Sequence, residues 1–257
     1  EMIQSIAERL IELNKTNGKL VVVVSAMGKS TDYLVELANE ISGGTPDPRE
    51  YDALISTGEN VSAALLSMAI INKGGQAISL SGYQAGIRTE NRHQKAKIQV
   101  VQPDRIEKEL DSGKIVVVTG FQGMTEEANV ATIGRGGSDT SAVVLAASLG
   151  CKVCEIYTDV DGIYTTDPRI EPSAKKLSVI SHDEMLELAS LGANVLHPRA
   201  VECAKENGIE LHVRSSFKNI EGTYVKEESS MERTRSVTGI ALKRDEAKLS
   251  IIRVPDT

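Results

Sequence analysis

The chain has 257 residues, 40% of them hydrophobic, with 29 basic and 36 acidic side chains and a formal charge of −7. That balance argues against broad affinity for nucleic acid or acidic membranes, and the apolar content suffices for one large domain, or a domain plus a fragment. No apolar run approaches the roughly 20 residues of a membrane span, and Glu1 to Leu13 is amphipathic rather than signal-like, so a cytoplasmic protein with no nucleic-acid or membrane partner is expected.

Ile3, Ile6, Leu10 and Leu13 follow helical spacing from the first residues. Leu20 to Val24 reads as a strand, Ser25 follows it, and Thr31 begins the next helix, so both hydroxyls are expected at the ligand edge of a sheet. Gly28-Lys29-Ser30 is not a P-loop, because Val23 stands where Walker A needs another glycine. Val61, Leu65, Met68 and Ala69 mark a further helix, with Glu59 in its first turn, where the helix dipole favours a carboxylate. Ile115 to Thr119 is a second buried strand.

Between that strand and the helical run Thr140 to Leu149 lies Gly134-Arg135-Gly136-Gly137-Ser138-Asp139. Glycines that expose backbone N–H groups, a fixed guanidinium and the positive end of a helix together make an anion site. Ser138 reads as the helix cap and Asp139 falls in the first turn. Cys151 and Cys154 form a CxxC without a second Cys or Cys/His pair at zinc-finger spacing, which predicts buried thiols rather than a metal or redox site.

Cys154 to Thr158 is a strand, Asp159 to Gly162 a polar turn without EF-hand spacing, and an Asp-Pro loop then carries Arg169. Lys175-Lys176 reads as a solvated loop, and Ser181 with Glu184 as a capping box opening a helix through Met185 and Leu188. His182 and His197 lack metal-ligand spacing, and His197 before Pro198 looks like a helix entry. Ile209 to Val213 is another strand; after Gly222 a charged linker leads to two expected strands, Val237 to Leu242 and Lys248 to Val254. Alternating strands and helices predict an α/β/α sandwich around a mainly parallel sheet.

The glycine-rich hexapeptide and Glu155 to Arg169, taken with Val22 to Gly28, Ser56-Thr57-Gly58-Glu59, Gln84 to Ile87, Gly120-Phe121-Gln122-Gly123 and Gly192 to Pro198, closely resemble motifs of aspartokinases, members of the amino acid kinase family. The resemblance covers nearly the whole chain. It implies transfer of the γ-phosphoryl of ATP, with Mg²⁺, to the side-chain carboxylate of L-aspartate, the entry step to lysine, threonine and methionine. It places Ser25, Thr31, Glu59, Arg135 and Ser138 at the aspartate, with Glu59 on the ammonium and Arg135 on the α-carboxylate. Asp139 is placed at the phosphoryl-transfer centre, and Thr158, Asp159, Tyr164 and Arg169 at the nucleotide; no protein metal ligand is assigned.

The family's N-terminal strand ending in Lys-Phe-Gly-Gly has no counterpart in this sequence, so an N-terminally truncated kinase domain over residues 1–222, nearly inactive by itself, is expected. A linker over 223–236 and the first strands of an ACT regulatory domain over 237–257 would follow. The parent is expected to bind an amino-acid effector and to form a homo-oligomer or regulatory-subunit complex. Asn194 departs from the lysine many relatives carry in the Gly-Ala-Lys-Val-Leu-His pattern and brings no charge. An acetylglutamate, glutamate 5- or uridylate kinase, or a non-catalytic regulatory module, is the alternative.

Overall fold

The computed structural model describes residues 2–193, 195–227 and 238–242. The first part of the chain runs through α1 (Met2–Asn17), β1 (Val21–Val24), α2 (Ser30–Ser42), α3 (Pro48–Ile55), α4 (Thr57–Asn72), β2 (Ala77–Leu80), β3 (Ile87–Thr89), β4 (Ile98–Val101), α5 (Asp104–Asp111) and β5 (Ile115–Thr119). It continues through β6 (Gln122–Met124), β7 (Val130–Thr132), α6 (Gly137–Ser148), β8 (Val153–Thr158), β9 (Val179–Ser181), α7 (His182–Ser190), α8 (Pro198–Glu206), β10 (Glu210–Ser215) and β11 (Thr223–Lys226).

The strands form two layers built on parallel pairing. One is the parallel sheet β1-β5-β2; the other, β8-β10-β11-β9, has β11 antiparallel to β10. A third sheet, β4-β3-β6-β7, carries two antiparallel hairpin-like pairs. β5 is buried along its whole length, as its unbroken Ile-Val-Val-Val run requires of a strand covered on both faces. α1 and α4 cover one side of it through Ala7, Leu10, Leu66 and Ile70; Ile106, Leu110 and Leu145 cover the other.

α6 belongs to two cores at once. Its Leu145 packs with the β5 cluster, while Val143 and Ala146 pack with Ile156, Met185, Val201 and Leu211 around the second sheet. The expected capping box is present at α7: Ser181 accepts from the Glu184 N–H, and the Glu184 side chain accepts from the Ser181 N–H.

Three expectations need correction. Residues 223–226, expected at the start of a linker, are β11, paired with β10 and β9 and with Val225 fully buried, so the second sheet extends beyond Gly222. The helix at α4 is present, but of the four residues that marked it only Ala69 is buried: Val61, Leu65 and Met68 are 53%, 40% and 63% exposed, and Ser62, Ala63, Leu66 and Ile70 complete the inner face. Small residues win the inner face because α1 lies against it, and Ala7 and Ala63 share that cluster. Residues 238–242 form no strand; Ile240 N–H donates to Thr165 O at 2.7 Å and Ala241 packs on the second core. The expected strand Lys248 to Val254 and the Asn194 departure lie outside the described residues.

Two further points refine the reading. Of the CxxC pair only Cys154 is buried, its thiol pushed up to about 12 by that burial, while Cys151 is exposed. By length and composition Pro48–Asn72 would suit a membrane crossing, its best window having a mean hydropathy of 1.4, yet 56% of that window is buried in this fold. A core helix passes the same test.

Candidate active site

Five chain segments converge on one pocket of about 280 Å³ lined by Ser25, Thr31, Glu59, Phe121 and Gly134 to Asp139. Ser25 leaves the end of β1, Thr31 sits in the first turn of α2, and Glu59 in the first turn of α4. Phe121 follows β5, and Gly137, Ser138 and Asp139 open α6. All six residues predicted for the substrate and the transfer centre therefore share one cavity, and Phe121, to which the sequence assigns no role, joins them.

The local backbone explains the glycines. Gly136, the residue before α6, has φ +68°, in the left-handed region, and a Cβ there would lie 2.2 Å from His197 Cβ and 2.3 Å from its ring. Gly120 passes so close to Ser138 that a Cβ would lie 2.7 Å from the serine Cβ and 2.8 Å from its Cα. Backbone cannot yield as a rotamer does. Gly120→Ala is therefore expected to cost about 2 kcal/mol of stability by forced displacement of the α6 start, measured by urea unfolding; an unchanged midpoint would contradict the tight approach.

α6 starts earlier than expected. Gly136, not Ser138, occupies the cap position and no side chain caps the helix, so Ser138 lies within the first turn, without a capping role, and lines the pocket. His197 behaves as the expected helix entry: its Nδ1 accepts from the Arg199 N–H at 3.3 Å. Its ring also packs on Gly136, and burial, then Arg199 and Arg135, hold its pKa below the usual imidazole value.

The pocket's charges are arranged with opposite signs. Glu59 is 4% exposed; its Oε1 accepts from the Ala26 N–H at 3.2 Å, while its buried Oε2 has no hydrogen-bond partner. Burial raises its pKa, opposed by backbone hydrogen bonds. Gly58 makes room for this, since a Cβ would lie 3.0 Å from Ala26 Cβ. Arg135 is exposed and has no ion pair among the described residues. Asp139 is pushed up to about 6 by burial alone.

A buried carboxylate oxygen without a partner and an exposed guanidinium beside the first N–H groups of a helix give this cavity charges of both signs. Thr158, Asp159, Tyr164 and Arg169 lie elsewhere, at the end of β8 and in the loop after it, and do not line this pocket. Thr158 Oγ1 donates to Asp159 Oδ1 at 3.1 Å, and Tyr164 bridges to Lys176. Arg169 is 88% exposed and held by Asp167, with Nη2–Oδ2 at 2.7 Å. Lys176 is exposed but not free, its Nζ donating to Glu221 O at 2.5 Å.

The sequence profile of the amino acid kinase family matches residues 1–215. The chain belongs to the amino acid kinase family. Among characterised relatives, an aspartokinase from Bacillus sp. strain MGA3 is 52% identical over 257 residues, all of this chain and 62% of its own length. This family member thus spans about three fifths of the curated relatives it matches. An aspartate kinase crystal structure from Synechocystis superposes with a TM-score of 0.77 at 52% identity, covering 90% of this chain and 38% of that one. E. coli aspartokinase III in complex with aspartate and ADP superposes with a TM-score of 0.75 at 27% identity, covering 86% of this chain and 61% of that one.

Proposed function

We propose that this chain carries the kinase domain of an aspartokinase, which moves the γ-phosphoryl group of ATP onto the side-chain carboxylate of L-aspartate. The observation that carries the reading is the buried, unpartnered Glu59 Oε2 in the same small pocket as Arg135. A buried acceptor left unpaired costs about 1–3 kcal/mol, and the α-ammonium of an amino acid removes that cost. Arg135, Ser138 and the start of α6 hold the α-carboxylate; Thr31 and Ser25 close the remaining side.

With both ends of the amino acid fixed, its side-chain carboxylate is the free nucleophile. It is already ionised, an unperturbed aspartate titrating near pH ~3.9, so no general base is needed. One of its oxygens bonds to the γ-phosphorus as the bond to the bridging oxygen breaks, and ADP leaves. Thr158, Asp159, Tyr164 and Arg169 serve the nucleotide in this scheme, with Arg169 exchanging Asp167 for phosphate.

Among the described residues no three His, Cys, Asp or Glu side chains converge as a metal cage. Mg²⁺ carried on the ATP phosphates would need few protein ligands. Asp139, desolvated and without a cationic partner among the described residues, is the carboxylate suited to face it. When bound, the metal neutralises charge on the β- and γ-phosphates. An amino-acid effector, a regulatory region, the assembly of the parent protein and cytoplasmic residence belong to the same proposal.

Calorimetric titration with aspartate, N-acetylglutamate, glutamate and UMP tests the substrate. Aspartate alone is expected to bind at millimolar concentration or below; heat from another ligand and none from aspartate would move the assignment to a different kinase of the family.

A further inference from the structure

α3 carries a carboxylate that the kinase reading does not use. Asp52 is wholly buried, yet it is ringed by donors: its Oδ2 accepts from the Gln94 N–H and the Thr132 N–H, each at 2.9 Å, and lies 2.9 Å from His93 Nδ1. Its Oδ1 accepts from the Thr132 hydroxyl at 2.6 Å. A buried carboxylate satisfied on this scale fixes the groups that donate to it.

Those groups lead to the pocket from two directions. Thr132 ends β7 and precedes Gly134 and Arg135 by two and three residues. On the other side, α3 passes through Ser56 directly into α4, which bears Glu59 in its first turn. Gln122 closes the circuit: it pairs with Thr132 across β6 and β7, and its Nε2 donates to Ser56 O at 3.0 Å. Arg199 grips the far side of the same segment, donating to Ile133 O at 2.6 Å, while Ala96 N–H donates to Thr132 O at 3.0 Å.

We infer that Asp52 is a positioning residue: by tying the end of β7 to α3 it sets the distance between Arg135 and Glu59, and so the length of amino acid the pocket grips. This rests on the kinase reading for its substrate but not for its geometry. A short side chain bearing an oxygen acceptor is needed at this place because two backbone N–H groups, a ring nitrogen and a hydroxyl meet there. Asparagine can retain the arrangement, its oxygen replacing Oδ2 and its amide donating to the Thr132 hydroxyl. Alanine cannot.

The test uses the intact natural polypeptide carrying this chain, with Asp52→Ala, Asp52→Asn and Thr132→Val. In ligand-free protein, hydrogen exchange of residues 132–138 is expected to quicken at least tenfold in Asp52→Ala, with α1 unchanged and Asp52→Asn close to the parent. In turnover, KM for aspartate is expected to rise at least tenfold in Asp52→Ala and severalfold in Thr132→Val, with KM for ATP within twofold. Asp52→Asn restores the parent value, and Asp52→Ala adds nothing in an Arg135→Ala background. If Asp52→Ala does not fold, Thr132→Val decides on the same readouts. Unchanged exchange at 132–138, or equal rises in both KM values, overturns the inference. Normal exchange effects in a parent without aspartate-dependent ADP release would overturn the kinase reading alone.

Discussion

Arg135→Ala is expected to weaken aspartate binding by about 30-fold or more, since losing one partner of a hydrogen-bonded charge pair that the bound ligand covers costs about 2–5 kcal/mol. The variant should fold as stably as its parent, because Arg135 is exposed and unpaired among the described residues. Arg135→Lys keeps the charge but not the two-pronged donor geometry, and should recover only part of the affinity. Glu59→Gln gives the complementary measurement. Its amide oxygen can still accept from the Ala26 N–H, so the fold is kept while the anion is lost. The parent should prefer aspartate over succinate, which lacks the amine, and Glu59→Gln should bind the two alike. A Glu59→Gln protein that keeps the preference would remove Glu59 from the ammonium.

The second large effect is on stability and has a defined pH window. Burial lifts the Asp139 carboxyl from 3.8 to about 6, so the folded state favours the neutral acid more than the unfolded chain does. For a raised pKa the stabilising contribution is complete below about pH 4 and is lost as pH rises through about 6. Above that range the ionised Asp139 costs the ligand-free fold up to roughly 3 kcal/mol. Asp139→Asn removes the charge and should melt higher than the parent at pH 7.5, by about 5–10 °C for a domain of this size. The gap should close towards pH 4. Melting curves at both pH values, paired with a turnover assay, would show stability gained and activity lost together; equal midpoints at pH 7.5 would mean the carboxylate is not strained.

Much of this site could be read without coordinates because its chemistry is local. Gly134 to Asp139 announces a turn, a cation and a helix start within six residues, and Ser25, Thr31 and Glu59 each stand at an element boundary set by apolar periodicity. Asp52 escaped because its partners are distant in sequence: His93 and Gln94 lie on the loop between β3 and β4, and Thr132 ends β7, a three-residue strand that sequence hardly signals. A single acid among Tyr51, Ala53, Leu54 and Ile55 was the available clue. The shifted face of α4 has a different origin. Its apolar residues occupy almost the entire circumference, so periodicity marks a helix while size, through Ala63 against α1, chooses the buried side. The start of α6 was misplaced by one convention of capping: serine usually takes that position, but here a left-handed glycine does, leaving the hydroxyl for the pocket.

Because α6 is anchored in two cores, its first amides sit at the end of a doubly held element. Under the proposed function a substrate carboxylate would meet dipoles already aimed, with little reorganisation entropy subtracted from its affinity. The same double anchorage means that any rocking between the two sheets must swing this anion receptor with it.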